Sequence, residues 1–304
     1  MAKKIKKFFN EIRNSWKDLE WWKGRYRYYI FSRISKNKGI YIADEEWDNL
    51  IILDACRYDI FEELNRINGK LEKRVSRGSN TKGFLLENFK NNPHSFKDIV
   101  YVSANPYVTM FLSAEFHRII PVWDYGWDSN LNTVPPENVV EATLEAHRNY
   151  PNNRLIIHFM QPHAPFLTAK FPNVTGFKEH RNAALKNVHK MRDLTVWSLL
   201  KKGELDPKDV WSAYRKNLVL VLPYVKTLLD ILPGKTIVTS DHGNLISERP
   251  HILYPFKESG HPDGFYVKKL TLVPWFISIN KKSKISEKIR LISKIKKFKD
   301  QTKY

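Results

Sequence analysis

The chain has 304 residues, of which 42% are hydrophobic and 13% aromatic, so it is long enough to bury a sizeable core in one or two domains. Its one cysteine, Cys56, excludes an internal disulfide bond and suits a reducing compartment. The formal net charge is +19 and comes almost entirely from the two ends: residues 1–40 carry 12 basic side chains against 3 acidic ones, and residues 281–304 carry 10 against 2.

The N-terminal segment, residues 1–40, combines its positive charge with apolar side chains three or four positions apart, which predicts an amphipathic helix. Residues 281–304 show the same pattern. Such helices bind anionic membrane interfaces, although packing of the apolar face against the core is the alternative. No nucleic-acid-binding motif accompanies the charge, so nucleic acid is not favoured as a partner. The apolar positions are Ile5, Phe8, Ile12, Trp16 and Leu19 in the first segment and Ile285, Ile289, Ile292, Ile295 and Phe298 in the second.

The start of the chain has no apolar region of the signal-peptide type, and its apolar runs are too short to span a bilayer. We therefore expect a cytoplasmic protein that is soluble or peripheral on the inner face of the membrane. The folded domain is expected to occupy residues 41–280, between the two basic segments.

Short apolar runs without polar alternation are typical of strands buried on both faces of a parallel sheet. Helices are predicted over PPENVVEATLEAHRNY, over DPKDVWSAYRKNLVLVLPYVKTLLDIL with a kink at Pro223, and over TKGFLLENF just after Gly78. This alternation predicts an α/β layered domain, with residues 167–205 as a polar lid or insertion. The predicted strands are Leu50–Leu53, Ile99–Val102, Leu155–Phe159, Thr236–Thr239 and Leu272–Ile279.

Acidic and imidazole side chains follow three of the predicted strands. Asp54 comes directly after the first strand, Asp241 and His242 follow a later one, and His163 follows the strand between them. Ligands of open α/β sheets gather at the carboxyl ends of the strands. Since carboxylate oxygen and imidazole nitrogen are ligands of zinc and manganese, this pattern indicates a metal site. The alternative is that Asp241 and His242 only form a turn or helix cap, which explains one such strand end more easily than three. His158 lies inside its strand and fits a satisfied core histidine better than a ligand.

Five segments, in this order along the chain, resemble motifs of the alkaline phosphatase/sulfatase superfamily, and most of all its archaeal-type sulfatase-like branch. They cover residues 47–280 and leave out both terminal segments. The resemblance implies a three-layer α/β sandwich with a mostly parallel central sheet, in which residues 41–280 form the catalytic domain. The amphipathic helices expected at both termini come from the apolar spacing and not from the resemblance. The segments are LIILDACRYDIF, RGSNTKGFLLENF, LIIHFMQPHAPF, IVTSDHGNL and GHPDGFYVKKLTLVPWFI.

The resemblance also implies a metal site made by Asp54, Asp241 and His242 together with a hydroxyl nucleophile, Thr81. A bound dication lowers the pKa of such a hydroxyl and turns it into a strong nucleophile. Ser79 is the alternative nucleophile, because both hydroxyls precede a predicted helix whose amides favour an anionic substrate. One of the two is alternatively only the N-cap of that helix.

His163 and His261 match histidines that, in the superfamily, bind a second metal or hold the anionic group of the substrate. Members with two metals add an aspartate at a position where this chain has Gln161, and an amide is a poorer zinc ligand. One metal is therefore expected and substrate contact is favoured for the two histidines, with a second metal as the alternative. Arg57 either binds phosphate oxygens or forms an ion pair with Asp59 or a nearby glutamate.

Two departures separate the chain from the common sulfatases. Those enzymes convert a cysteine in a Cys-x-Pro-x-Arg signature, whereas Arg57, Tyr58 and Asp59 follow Cys56, which fits a small buried filler. They also commonly carry paired aspartates at the first strand tip, where this chain has Ala55 after its aspartate. Both departures favour phosphate esters over sulfate esters.

The sequence thus predicts a metal-dependent hydrolase or phosphotransferase, of phosphatase or phosphodiesterase type, that forms a covalent phospho-enzyme. Zinc or manganese is the expected metal, and calcium would suit sulfatase-like chemistry. The expected substrate is a phosphorylated small molecule, membrane lipid or glycan head group. The alternatives are a sulfatase that acts on sulfated substrates through an unmodified hydroxyl, and a catalytically silent protein that binds anionic membranes.

Overall fold

A computed structural model of the chain describes residues 11–112, 114–171, 174, 177–186 and 195–281. The C-terminal helix predicted within residues 281–304 lies outside the described residues, as do the N-terminal positions Ile5 and Phe8.

The protein is a three-layer α/β sandwich built around a seven-stranded sheet, with a separate two-stranded hairpin. The sheet strands are β1 (Asn49–Leu53), β2 (Lys70–Val75), β3 (Phe96–Ser103), β4 (Phe116–Pro121), β5 (Arg154–Phe159), β6 (Gly234–Thr239) and β9 (Leu272–Asn280), and the hairpin strands are β7 (Leu245–Glu248) and β8 (Glu258–Gly260). The helices are α1 (Leu19–Tyr26), α2 (Ser32–Ile34), α3 (Tyr58–Leu64), α4 (Thr81–Leu85), α5 (Tyr107–Phe111), α6 (Val122–Tyr125), α7 (Pro136–Asn149), α8 (Lys178–Lys186), α9 (Val196–Lys202), α10 (Pro207–Ile231) and α11 (Lys268–Thr271).

The strand order across the sheet is β2-β9-β6-β1-β5-β3-β4. The five strands from β6 to β4 are parallel, whereas β9 runs antiparallel to both of its neighbours. The prediction of a mostly parallel sheet is therefore confirmed, but the apolar run Leu272–Ile279 forms its one reversed strand among the described residues. The chain between β6 and β9 contains the β7–β8 hairpin instead of the long crossover helix that parallel neighbours need.

Both faces of the central strands are apolar, which is why helices cover both sides of the sheet. Ile51 and Leu53 of β1 are fully buried on the face covered by α3, α7 and α10. Leu50 and Ile52 are fully buried on the opposite face, against α4, α5 and the chain that precedes β1. A strand buried on both faces exposes only its ends, and the ends are where polar side chains emerge.

The N-cap of one helix differs from the sequence prediction. Asn80 is the N-cap of α4, because its side chain accepts a hydrogen bond from the Gly83 amide at 2.7 Å, so the N-cap alternative for Ser79 and Thr81 was wrong. The long helix α10 runs from Pro207 to Ile231 and continues through Pro223 without ending there.

The N-terminal apolar stripe does not form one continuous helix. Residues 11–15 are helical, and α1 begins only at Leu19, where the Asp18 side chain caps the helix and accepts from the amides of Glu20 and Trp21. A π-helical turn, Arg27–Phe31, links α1 to α2. Within the described ranges, every helix is too short or too polar to cross a membrane.

Helix α10 holds the loop that follows β5 through one buried amide, Asn217. Its Oδ1 accepts from the Leu167 amide at 3.1 Å, and its Nδ2 donates to the carbonyls of Pro162 and His163 at 3.2 and 3.1 Å. Asn217 is fully buried, so these backbone groups have no water to replace it.

We expect Asn217→Ala to lower the free energy of unfolding by about 1–3 kcal/mol, because it leaves buried polar groups without a partner. Urea unfolding followed by circular dichroism measures the change. Lys216→Ala, an exposed neighbour on the same helix, is the matched control and should stay within about 0.5 kcal/mol of wild type. Equal effects of the two substitutions would contradict the role given to Asn217.

Candidate metal centre and active site

Three adjacent parallel strands, β6, β1 and β5, end at one edge of the sheet and bring their polar side chains together. Asp54 follows β1, Asp241 and His242 follow β6, and all three side chains are buried. The Nε2 atom of His242 lies 3.8 Å from Asp54 Oδ1 and 3.4 Å from Asp241 Oδ2. Asp54 and His242 are 188 positions apart in the sequence, and the structure places the two carboxylates and the imidazole within the reach of one ion.

Thr81 completes this cluster from the other side. It is the first residue of α4 and is buried, and its hydroxyl donates to Asp241 Oδ2 at 2.7 Å. The same hydroxyl oxygen lies 3.2 Å from His242 Nε2. Of the two hydroxyls that the sequence offered as nucleophiles, Thr81 is therefore the one beside the carboxylates and the imidazole.

The side chain of Asp241 is fixed by backbone donors. Its Oδ1 accepts from the amides of Ala55 at 3.0 Å and His242 at 2.9 Å. Ala55 adopts a φ of 57°, in the left-handed region, which turns its amide toward this carboxylate. Ser240 ties the two strand exits together, with its hydroxyl 2.8 Å from the Cys56 amide and 2.6 Å from the Leu53 carbonyl.

The hydrogen bonds of His242 assign its tautomer. Its Nδ1 lies 2.7 Å from the Gly243 carbonyl, which only accepts, so Nδ1 carries the hydrogen and Nε2 presents a lone pair. Burial lowers the pKa of His242 to about 3, which keeps the ring neutral at physiological pH. A neutral imidazole with Nε2 facing two carboxylates is the form that ligates a metal.

Asp54 depends on a residue that the sequence interpretation left without chemistry. Asn105, just after β3, donates from Nδ2 to Asp54 Oδ2 at 2.6 Å. Asp54 Oδ1 has no hydrogen-bond partner among the described residues although it is buried. Burial, followed by the nearby carboxylate of Asp241, raises the pKa of Asp54 well above its usual range.

His158 also belongs to the cluster, which the sequence interpretation missed by treating it as a satisfied core histidine. Its Nδ1 is hydrogen-bonded to the Tyr101 hydroxyl at 3.0 Å, but its buried Nε2 has no partner among the described residues and lies 3.7 Å from Asp54 Oδ2. One ligand atom each from Asp54, His158 and Asp241 lies within 4.8 Å of the others. The signal available in the sequence was its position one residue before the end of a buried strand.

The arrangement of lone pairs tests whether these residues fit a metal ion. The atoms that converge are Asp54 Oδ1, Asp241 Oδ2, His242 Nε2 and Thr81 Oγ1, and the threonine hydroxyl is the one hydrogen they share while both carboxylates are ionised. Buried lone pairs that face one another are unfavourable without a proton or cation between them. Two carboxylates, an imidazole and a hydroxyl suit zinc or manganese, so the residues fit a divalent cation.

His163 and His261 lie beside this cluster as a hydrogen-bonded pair. The Nδ1 of His163 donates to the Ala164 carbonyl, so its Nε2 accepts, and the donor across the 3.0 Å contact is Nε2 of His261. The ring centroid of His261 is 4.5 Å from that of His242. Burial lowers the pKa of His163 to about 4, so both its acceptor nitrogen and its tautomer are defined at neutral pH.

Four other residues named in the sequence analysis lie in different surroundings. The Ser79 hydroxyl donates to the Pro262 carbonyl at 2.9 Å and accepts from the Phe265 amide, so it fastens a loop. The Arg57 guanidinium is paired with Asp59 and Glu248, which is the ion-pair alternative. Cys56 is fully buried, and burial raises the pKa of its thiol well above the usual range, which leaves it unreactive. Gln161 donates to the Val134 carbonyl at 3.1 Å.

A cavity of about 80 Å³, partly open to solvent, adjoins Thr81. Its wall is largely formed by the segment 167–205, which the sequence predicted as a lid or insertion, through α9 and the residues before α8. None of the described residues that line it is a lysine, an arginine, an aspartate or a glutamate. The lining residues are Thr81, Tyr107, His163, Ala164, Val174, Phe177, Thr195, Val196, Trp197 and His261.

We expect the metal-free protein to lose stability as the pH falls from about 7 toward 4. Burial lowers the pKa of His158 and His163 to about 4 and of His242 to about 3, against 6.5 for a free histidine. Below about pH 6.5 the unfolded chain therefore binds protons on these histidines, whereas the folded chain does not. Each histidine then lowers the free energy of unfolding by up to about 1.4 kcal/mol for each pH unit below 6.5. The raised pKa of Asp54 has the opposite effect on stability, but Asp54 is one group and the histidines are three.

Urea unfolding in the presence of a chelator at several pH values measures this dependence. His158→Asn should flatten the slope, because one buried titrating ring is removed, while His117→Asn on the exposed surface should leave the slope as in wild type. Stability that is constant or rises between pH 7 and pH 5 would contradict the assignment of neutral buried rings.

Comparison with known proteins gives distant structural likenesses. No protein-family model matches the sequence, and no curated protein matches it at a significant level. The chain is similar to the crystal structure of the C-terminal periplasmic domain of EcEptC from Escherichia coli, with 13% identity, coverage of 80% of this chain and 75% of the other, and a TM-score of 0.43. For the same domain in complex with Zn, the identity is 12%, the similarity covers 80% of this chain and 76% of the other, and the TM-score is 0.39. For the lipoteichoic acid synthase LtaP from Listeria monocytogenes, the identity is 10%, the similarity covers 82% of this chain and 71% of the other, and the TM-score is 0.41.

Proposed function

We propose that the chain is a metal-dependent hydrolase or phosphotransferase of phosphate esters, with Thr81 as its nucleophile. The observation that carries this proposal is the buried contact of the Thr81 hydroxyl with Asp241 Oδ2 at 2.7 Å and His242 Nε2 at 3.2 Å. A hydroxyl in this position has a proton acceptor on one side and open pocket space on the other. The resemblance of five sequence segments to the alkaline phosphatase/sulfatase superfamily supports the same chemistry.

The metal ligands in this proposal are Asp54, Asp241, His242 and the Thr81 oxygen, with His158 in reach of the same position. A bound dication, zinc or manganese, supplies positive charge that stabilises the threonine alkoxide and the phosphoryl oxygens. Backbone amides and Asn105 hold the two carboxylates in place, so the ligands need little rearrangement.

In the first step, the Thr81 oxygen forms a bond to phosphorus while the bond from phosphorus to the alcohol of the substrate breaks. Asp241 Oδ2 accepts the hydrogen bond that orients the hydroxyl in the free protein. With a dication held by these ligands the hydroxyl would lose its proton to solvent, so that the oxygen attacks as an alkoxide. The departing alkoxide takes a proton and leaves as the alcohol. In the second step, water or an acceptor alcohol attacks the phosphothreonine and restores the free hydroxyl.

The two pocket histidines have a role at the phosphoryl group. His261 donates from Nε2 toward His163 in the free enzyme, so a phosphoryl oxygen that enters the pocket can replace His163 as acceptor. His163 then offers a neutral Nε2 lone pair to a proton of the substrate or of the incoming water. The pair thus holds one proton that the departing oxygen can take and one lone pair that can accept a proton from the attacking water or alcohol.

The pocket beyond the histidines selects the organic part of the ester. Tyr107, Phe177 and Trp197 supply aromatic walls, and the described lining carries no lysine, arginine or carboxylate. A second anionic group there would lose its hydration without a counter-charge. We therefore propose a phosphate ester whose organic part is uncharged and has an apolar face, as a lipid or glycan part does.

A sulfatase that uses an unmodified Thr81 is the second candidate, because the same ligands would stabilise a sulfuryl group. A catalytically silent anion-binding protein is the third. Turnover of p-nitrophenyl sulfate above that of phosphate esters favours the second, and absence of turnover with zinc or manganese on either ester class favours the third.

We expect Thr81→Ala to reduce kcat/KM for bis(p-nitrophenyl) phosphate by at least about a thousandfold, because it removes the attacking oxygen. Thr81→Ser, which keeps a hydroxyl, should retain part of the activity. Ser79→Ala, two residues earlier, should keep most of it, since that hydroxyl fastens a loop. Mass spectrometry of enzyme quenched with acid during turnover should find a p-nitrophenyl phosphoryl group on Thr81, because one p-nitrophenolate has left and the other stays on phosphorus. Equal losses in the Ser79 and Thr81 variants would contradict the assignment.

We expect Trp197→Ala to act on substrate preference. The ratio of kcat/KM for bis(p-nitrophenyl) phosphate to that for methyl p-nitrophenyl phosphate should fall by about tenfold, because an aromatic contact contributes on the order of 1–2 kcal/mol. The ratio cancels any loss of folded enzyme. Tyr125→Ala, an exposed aromatic residue outside the pocket, is the control. An unchanged ratio would remove Trp197 from substrate recognition.

A further inference from the structure

One region of the surface exposes an unusual concentration of large apolar side chains. It consists of residues 16–34 and the tip of the loop between β7 and β8, and we name it the aromatic face. At 69% and 82% exposure, Tyr28 and Ile252 leave most of their apolar surface in water. Nine of the fourteen exposed large hydrophobic side chains among the described residues lie here: Trp16, Leu19, Trp22, Tyr28, Tyr29, Ile30, Ile34, Ile252 and Leu253.

The two parts of the aromatic face are one connected surface. The Tyr26 hydroxyl donates to the Leu253 carbonyl at 2.6 Å, and the Phe31 ring packs edge-on against His251 with a centroid distance of 5.2 Å. Arg27 is paired with the buried Glu258 at the start of β8. The N-terminal helices are therefore anchored to the folded domain, and their exposed side chains occupy defined positions beside the loop tip.

Positive charge surrounds these apolar side chains. Residues 11–40 carry eight basic side chains against three acidic ones. Two of the acids are already paired, Glu11 with Arg25 and Glu20 with Lys23 at 2.6 Å. The exposed basic side chains of the region are Arg13, Lys17, Arg33, Lys36 and Lys38.

We propose that the aromatic face docks onto an anionic membrane surface. Tryptophan and tyrosine prefer the interface of a bilayer, where the ring enters the acyl boundary and the polar edge stays at the head groups. Lysine is depleted from the cores of protein–protein interfaces, whereas membrane-binding helices interleave it with apolar residues. The composition of this face therefore fits an anionic lipid surface better than a partner protein or a second copy of the chain.

Ion pairs connect the aromatic face to the helix that lines the candidate active site. Lys201 of α9 lies 3.0 Å from Glu258 and 3.4 Å from Glu20 of α1, and the same helix carries Trp197 in the pocket wall. Strand β8 leads directly into His261. On the basis of the proposed function, docking by this face would bring the pocket to phosphate esters that are held in a membrane.

Sedimentation of the full-length protein with vesicles tests the proposal. Wild type should bind phosphatidylcholine vesicles that contain phosphatidylserine more strongly than pure phosphatidylcholine vesicles, and added salt should weaken the binding. The triple variant Trp22→Ser, Tyr28→Ser, Ile252→Ser should bind about tenfold less, since three apolar insertions are lost. The matched control is Tyr125→Ser, Val219→Ser, Ile279→Ser, three exposed apolar residues elsewhere, which should bind as wild type.

Equal binding by the triple variant and the control would overturn the proposal. Binding of equal strength to vesicles with and without phosphatidylserine would also overturn it. A dimer in size-exclusion chromatography that the triple variant dissolves, without vesicle binding, would assign the face to self-association and also overturn it. Two measurements separate this proposal from the enzymatic one. Thr81→Ala should still bind vesicles, and the triple variant should still hydrolyse soluble bis(p-nitrophenyl) phosphate.

Discussion

The structure depends on how the charge of two buried carboxylates is balanced at one edge of the sheet. Two carboxylates, Asp54 and Asp241, lie out of water beside a neutral imidazole, and the Thr81 hydroxyl offers them a single proton. Burial of a carboxylate without a partner is costly, and a second carboxylate nearby adds to the cost. The outer lone pairs are satisfied by backbone amides and by Asn105, whereas the inner ones face one another. A divalent cation held between these groups would neutralise the two carboxylates.

The fold supplies the positions that this arrangement needs. Parallel strands buried on both faces have their polar side chains at the strand ends, so adjacent strands can bring together residues that are distant in sequence. The supports are backbone and side-chain hydrogen bonds: Ser240 ties the exits of β1 and β6, and Asn217 of α10 holds the carbonyl of His163. The side chains of the cluster thus lie at the ends of buried strands or begin α4, and most of the residues that line the pocket come from the segment between β5 and α10.

Much of this was predictable from the sequence, and the failures have physical causes. Solid apolar runs predicted the five central strands, and the polar residues after them predicted the side chains that meet. His158 was misjudged because a histidine inside an apolar strand has the same sequence pattern whether or not both nitrogens find partners. Asn105 was missed because an amide that supports a carboxylate has no spacing signature. The direction of β9 was missed because an apolar run does not encode strand direction.

The sequence also failed to predict β2, and the reason has a consequence for the behaviour of the whole molecule. This strand, KLEKRV, forms one border of the sheet and pairs only with β9, and its Glu72 is paired with Lys70 at 2.6 Å and with Arg74 at 2.8 Å. A foreign strand that added to this border would have to strip water from a row of ionic groups. The charged composition made β2 hard to predict from the sequence. The same charges disfavour aggregation at this border of an otherwise apolar sheet.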